Sequence, residues 1–209
     1  MKLNSSTEVE VTPSNGNIAN AMLYAVADLK KYDLIVIDPA WEVGKIQRKV
    51  RPNQKPELDY ITMPFDEIKA LPIGEMADTN SVIFLWTIQK WLPKSFELLN
   101  AWGFKYQRTL TWDKKNGMCL FGFHHRTEFV LFGYKGKIEM YPKRKTIPTV
   151  FDGKSERHSA KPDEFYQLVQ GLGKNRVDVF ARREREGWDV FGNEVNNSID
   201  LERYRSNGT

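Results

Sequence analysis

Leu34–Trp41 reads LIVIDPAW: four aliphatic residues in a row, then an acid, a proline, a small residue and an indole. Ile35, Val36 and Ile37 are β-branched, and a run with no polar alternate suits a strand covered on both faces. Pro39 lacks the N–H that a further ladder bond would need, so the strand ends at Asp38. In open α/β sheets, ligands bind outside the carboxyl ends of strands, which puts Asp38–Trp41 where chemistry is usually done. A carboxylate, a proline carbonyl and an aromatic plane make a pocket for a planar amine. Asp38 and the Pro39 carbonyl would each accept from an NH₂ group, and Trp41 would stack on the ring.

Working outward, the apolar spacing alternates between helical and strand periods. Ile18, Met22, Val26 and Leu29 fall three or four apart, with Leu23 beside them, and predict a helix before the strand. Downstream, Pro64–Leu71 predicts a short helix with Asp66 and Glu67 near its start, and Ser81–Trp86 (SVIFLW) a second buried strand. Leu92, Phe96 and Leu99 mark a helix with Pro93 near its first position and Gly103 past its end. Phe104–Trp112 and Glu128–Tyr134 read as strands. Phe165, Leu168, Val169 and Leu172 share a helical face opened by Pro162 and closed by Gly173, and Val177–Ala181 reads as the last strand. This alternation predicts an α/β fold, a mostly parallel sheet with helices on both faces.

The chain of 209 residues suits one domain, 1–209, and at 41% hydrophobic and 28% charged it is no disordered polymer. The longest purely apolar run is Ala21–Ala27, far short of the ~20 residues a membrane helix needs. Residues 1–16 read as a polar tail without the apolar centre of a secretory signal, and 196–209 as a C-terminal tail. A single cysteine, Cys119, excludes an internal disulfide framework and suits a reducing, cytoplasmic setting. The net charge of +4 hides its distribution: residues 45–55 hold five basic and no acidic side chains, and 135–145 five basic and one acidic. Two such segments on an otherwise acidic body point to a polyanion, and they fall in the long unpatterned stretches 42–58 and 135–157.

Several chemistries drop out. Gly171-Leu172-Gly173-Lys174 lacks the upstream glycine and the following Ser or Thr of a phosphate loop, so it reads as a helix cap. Cys119, His124 and His125 have no ligand spacing, and adjacent strand histidines face opposite ways, so no metal is expected. No Gly-x-Ser-x-Gly elbow is present.

The tetrapeptide is one of an ordered series of blocks. LIVIDPAW at 34–41 is followed by Tyr60-Ile61-Thr62-Met63, DEIKALPI at 66–73, VIFLWT at 82–87 and WGF at 102–104. Then come Thr111-Trp112 with a lysine shortly after, HSAKPDEFYQLV at 158–169, VDVFARRE at 177–184 and GW…GNE at 187–194. Together they resemble the adenine N6-methyltransferase family whose best-known member is the catalytic subunit of the mRNA methyltransferase, here in a bacterial or phage-like form. The resemblance implies a Rossmann-like methyltransferase fold in permuted motif order, with the catalytic tetrapeptide before the cofactor blocks. It differs at one place: the family tetrapeptide resembles Asp-Pro-Pro-Trp, and Ala40 stands third here. Alanine removes no hydrogen-bonding group, so the expectation is retained chemistry on a looser loop.

By the resemblance, S-adenosylmethionine is the cofactor and the exocyclic amine of adenine the acceptor, in DNA rather than RNA. Asp38, Pro39 and Trp41 would be catalytic, with Asp38 also facing the cofactor's ammonium. Lys161 would hold the methionine carboxylate with Ser159 assisting, and Arg182, Asn193 and Glu194 the ribose hydroxyls. Tyr60 matches a gate tyrosine beside the substrate. Lys45, Arg48, Lys49 and Arg51 in one basic loop, and Lys143, Arg144 and Lys145 in the other, would contact phosphates. A homodimer or a partner subunit stays open, a membrane is not expected, and two alternatives stand: a non-catalytic subunit decayed at Ala40, or an RNA adenosine methyltransferase.

Overall fold

The ladder stops where Pro39 requires it. In the computed structural model, which describes residues 29–43, 61–120, 122–137, 146–154 and 160–205, the first strand, β1, runs Tyr32–Ile37. All elements below belong to the unit that begins at Lys31, and the helix expected at 18–29 lies outside them but for its last residue.

β1 sits inside a seven-stranded sheet, parallel to β2 (Ala77–Thr87) on one side and to β6 (Arg176–Val179) on the other. β7 (Trp188–Phe191) extends the parallel half beyond β6. Past β2 the direction reverses: β4 (Phe123–Lys135) is antiparallel to β2, and β3 (Lys105–Leu120) is antiparallel to β4. β5 (Val150–Asp152) closes the edge, giving the order β5-β3-β4-β2-β1-β6-β7. The mostly parallel sheet with its helical connections is Rossmann-like, as expected.

Alternation along the strands divides the core into two faces. Leu34, Val36, Val82, Phe84, Trp86, Val130 and Phe132 cluster with Phe165, Tyr166 and Val169 of helix α4 (Asp163–Val169). The intervening Ile35, Ile37, Ile83, Leu85 and Leu131 are fully buried on the opposite face. Buried with them are Ile68 of α1 (Phe65–Lys69), Ile73 and Met76 of α2 (Ile73–Met76), and Leu98 and Leu99 of α3 (Leu92–Ala101). Each such side chain contributes about 1.5–3 kcal/mol by leaving water. α3 carries Pro93 in its first turn and is followed by Gly103 at φ 78°, the left-handed value its position predicts. No helix among the described residues is long and apolar enough to cross a membrane.

Five expectations change. Val177–Ala181 is not the last strand, since β7 follows it, formed by a run (WDVF) too short to show a period. β6 ends at Val179 rather than Ala181, because Phe180 turns to φ 64° and leaves the ladder. Residues 150–152, expected within a basic loop, form β5, with Phe151 buried against the core. Of the segment expected as a tail, 196–209, the described residues up to 205 pack instead. Ser198 bonds Val190 on β7, and Leu201 and Tyr204 are buried in a 3₁₀ turn, Tyr204 lying against Tyr32. β3 and β4 outrun their predicted spans as a two-stranded ribbon that pairs Met118 with His125 and Cys119 with His124.

Candidate active site

Asp38 is the first residue past β1, and its amide still bonds the Val179 carbonyl of β6, so the sheet fixes where its carboxylate starts. Facing it is Lys161, just ahead of α4. Lys161 Nζ lies 3.0 Å from Asp38 Oδ2 and 3.1 Å from Glu128 Oε2 of β4. Glu128 Oε1 in turn takes Lys114 Nζ of β3 at 3.0 Å, giving the chain Asp38–Lys161–Glu128–Lys114. The Lys161 side chain is 10% exposed and stands 5.0 Å from the centre of the Trp86 ring.

Burial and pairing pull these groups in opposite directions. Burial pushes the Asp38 carboxyl above its ordinary value, and the Lys161 ammonium only partly offsets it. Burial also works to discharge Lys161, but the Asp38 and Glu128 carboxylates outweigh it and hold the ammonium charged. For Glu128, the burial effect is overcome by Lys161 and Lys114, and its carboxyl stays below the usual range.

The other wall comes from the ends of β6 and β7. The Ala181 amide bonds the Phe191 carbonyl, and a Cβ added to Gly192 would fall 2.1 Å from the Ala181 carbonyl oxygen. Only glycine permits this approach, which sets the loop after β6 against the loop after β7. Arg182 and Glu194, twelve apart in sequence, thereby meet at 2.8 Å. A pocket lies between the walls, lined by Asp38, Pro39, Ala40, Trp41, Glu128, Lys161, Phe180, Arg182, Asn193 and Glu194, with Val43, Ile61 and Ile88 supplying apolar lining.

The structure therefore brings together Asp38, Pro39, Trp41, Lys161, Arg182, Asn193 and Glu194. Tyr60, Ser159, Lys45, Arg48, Lys49, Arg51, Lys143, Arg144 and Lys145 lie outside the described residues. Two details differ from the sequence reading. The Pro39 carbonyl is not free, since it accepts the Trp41 amide at 2.8 Å, though its second lone pair remains. Trp41 is 5% exposed, donates its indole N–H to the Trp86 carbonyl and stacks on Trp91 with centroids 5.5 Å apart. One contact surface of the ring expected to clamp a substrate is already taken.

Sequence reasoning missed Glu128; its signal is a lone acid opening the apolar run 128–132. It also missed a buried carboxyl on β6. Asp178 accepts from Tyr166 Oη of α4 at 2.9 Å and from Arg185 at 3.2 Å, while the Arg185 guanidinium lies 3.4 Å from the Tyr166 ring centre. Burial pushes Asp178 up to about 7 against the pull of Arg185. Among the described residues no cluster could hold a metal ion.

Comparison with known proteins bears on this arrangement. The sequence profile of the MT-A70 family matches residues 32–194. The chain is 27% identical to the type II methyltransferase M.MunI of Mycoplasma sp, over 82% of this chain and 82% of that protein. It is 29% identical to a putative N(6)-adenosine-methyltransferase MT-A70-like protein of Medicago truncatula, over 80% of this chain but 27% of that one. It is 25% identical to the Drosophila melanogaster N(6)-adenosine-methyltransferase non-catalytic subunit METTL14, over 86% of this chain and 53% of that one.

Proposed function

The chain belongs to the MT-A70 family, and from that premise we propose that it transfers a methyl group to the N6 amine of adenine in nucleic acid, DNA before RNA. MT-A70 methyltransferases use S-adenosylmethionine, which when bound supplies an electrophilic methyl carbon on a sulfonium. The pocket fits that group by charge: its lining holds three carboxylates, Asp38, Glu128 and Glu194, against two cations, Lys161 and Arg182. A surplus of negative charge suits a ligand whose sulfonium and ammonium outnumber its carboxylate. Lys161 offers the buried cation for that carboxylate, and Arg182, Asn193 and Glu194 offer donors and acceptors for ribose hydroxyls.

The observation that carries the reading is the placement of Asp38 at the end of β1 in the same pocket as Lys161. The adenine amine is a poor nucleophile because its lone pair is delocalised into the ring. Asp38, ionised, has only acceptor atoms, and the Pro39 carbonyl keeps one lone pair, so together they take up the two amine hydrogens. With the cofactor bound, Asp38 and the Pro39 carbonyl would leave the nitrogen lone pair free for the methyl carbon, and the proton released as the N–C bond forms and the C–S bond breaks would start out hydrogen-bonded to one of them. Most of the rate gain comes from positioning and from charges fixed before reaction. A base inside a duplex cannot reach the pocket, so the target is single-stranded or flipped out of its stack.

DNA is favoured because the chain matches most of the length of the Mycoplasma type II methyltransferase and about a quarter of the Medicago protein named for adenosine. Labelled methyl transfer to DNA and RNA pools, followed by nucleoside analysis, tests this. N6-methyladenine in the DNA pool is expected, and label confined to RNA would reverse the choice. The similarity to the Drosophila non-catalytic subunit supports a second reading, a partner that keeps the fold without turnover. Titration with S-adenosylmethionine separates them, since binding accompanied by transfer fits only the enzyme.

A further inference from the structure

The tetrapeptide leaves the sheet at Asp38, and beyond Pro39 nothing in the ladder holds it. Ala40 leaves its backbone unrestrained, where a second proline would stiffen it. The structure supplies restraint from outside. The Met63 amide bonds the Ala40 carbonyl at 2.8 Å. The Glu42 carbonyl accepts two donors, Trp91 Nε1 at 2.9 Å and Lys90 Nζ at 3.1 Å. Trp91 also stacks on Trp41 at an interplanar angle of 18° and on Phe65 of α1 at 2°. Lys94 stands 5.0 Å from the Phe65 ring centre and Lys90 5.1 Å from that of Trp91.

Trp91 is itself anchored at the mouth of α3. Its amide bonds the Ile88 carbonyl, and its own carbonyl takes both the amide and the hydroxyl of Ser95, which is fully buried. Its indole thus reaches the loop from a fixed helix start and grips it twice, by ring contact at Trp41 and by hydrogen bond at Glu42.

We infer that Trp91 is a positioning residue: with Lys90 it clasps Trp41 and Glu42, and so holds Asp38 and the Pro39 carbonyl in register for the amine. The inference rests on the proposed amine-accepting role of those two groups. In this chain the clasp does from outside what a proline at position 40 would do from within.

The test compares Trp91→Leu, Trp91→Phe, Ala40→Pro and the Ala40→Pro/Trp91→Leu double variant in the full chain. Hydrogen exchange at the Trp41 and Met63 amides, which bond the Pro39 and Ala40 carbonyls of the clasped loop, reads the clasp. Single-turnover methyl transfer to adenine-containing single-stranded DNA, beside cofactor titration, reads its effect. Trp91→Leu should speed exchange there and slow transfer about tenfold, as a sub-ångström misplacement does, with cofactor affinity little changed. Trp91→Phe, which keeps a stacking ring, should recover part of both. Ala40→Pro should return about two- to fivefold in the Trp91→Leu background and less in the parent. Unchanged exchange in Trp91→Leu overturns the clasp, and so does an equal factor for Ala40→Pro in both backgrounds. Where Trp91→Leu fails to melt cooperatively, Lys90→Met at the exposed side carries the same exchange prediction. A parent that transfers no methyl sinks the proposed reaction, while the exchange result still decides the clasp.

Discussion

The two halves of the sheet build the pocket differently. On the parallel side, every contribution lies just past a strand: Asp38 after β1, Phe180–Arg182 after β6, Asn193 and Glu194 after β7. On the antiparallel side, Glu128 projects from within β4 and Lys114 from within β3. A strand end can turn both backbone and side chain into a crevice, whereas a residue inside a strand reaches it only sideways. Glu128 accordingly lines the pocket from the side while also pairing with Lys161, Lys114 backs it from behind, and the antiparallel half works as a charge support for groups the parallel half presents.

The comparison can be broken first at the joint. Lys161→Met leaves Asp38 and Glu128 buried with no cation between them, a loss of about 3–5 kcal/mol for a buried pair deprived of one partner. Asp38 then gains by taking a proton, while Glu128 keeps Lys114, so the variant's melting temperature should rise as pH falls towards 5. A flat profile would show that the pair is not coupled through Lys161. Asp38→Ala comes next, with turnover down on the order of 10²-fold or more and a cooperative melt retained. Equal transfer by variant and parent would remove Asp38 from the chemistry. Gly192→Ala tests the parallel half's backbone: its Cβ must push the Ala181 carbonyl, at a cost of about 1–3 kcal/mol and with weakened cofactor binding. Smallest is Glu128→Gln, which keeps an oxygen acceptor and removes a charge. A several-fold fall in turnover is expected, and a loss as large as that of Asp38→Ala would erase the distinction between the halves.

Much of the parallel half was legible in the sequence because its signals are local. Leu34–Ile37 is an unbroken β-branched run closed by Pro39, and Pro93 and Gly103 bracket α3. β7 was missed because WDVF is short and carries an acid, and β5 because three residues hold no period. The ribbon extending β3 and β4 is stabilised by pairing between strands, which no single segment announces. At the site, Asp38 and Lys161 were found through the motif blocks that contain them. The contact of Lys161 with Glu128 joins residues more than thirty positions apart, and only the register of β4 against its neighbours reveals it.

Asp178 has a consequence for how the chain answers acid. Unfolded, its carboxyl gives up its proton in the ordinary range near 4. Folded between Tyr166 and Arg185, with Asp38 and Lys161 also in its field, it keeps the proton up to about 7. Between those values the folded chain carries a proton that the unfolded chain has released, so folding draws hydrogen ions from solution and stability declines as pH rises across that interval. Asp178→Asn, which still offers an oxygen to Tyr166, removes the exchange. Denaturation midpoints recorded from pH 5 to pH 7.5 should slope downward less steeply in that variant than in the parent. Parallel slopes would mean that Asp178 is ionised throughout, a buried anion held by Arg185 rather than a reservoir of one proton.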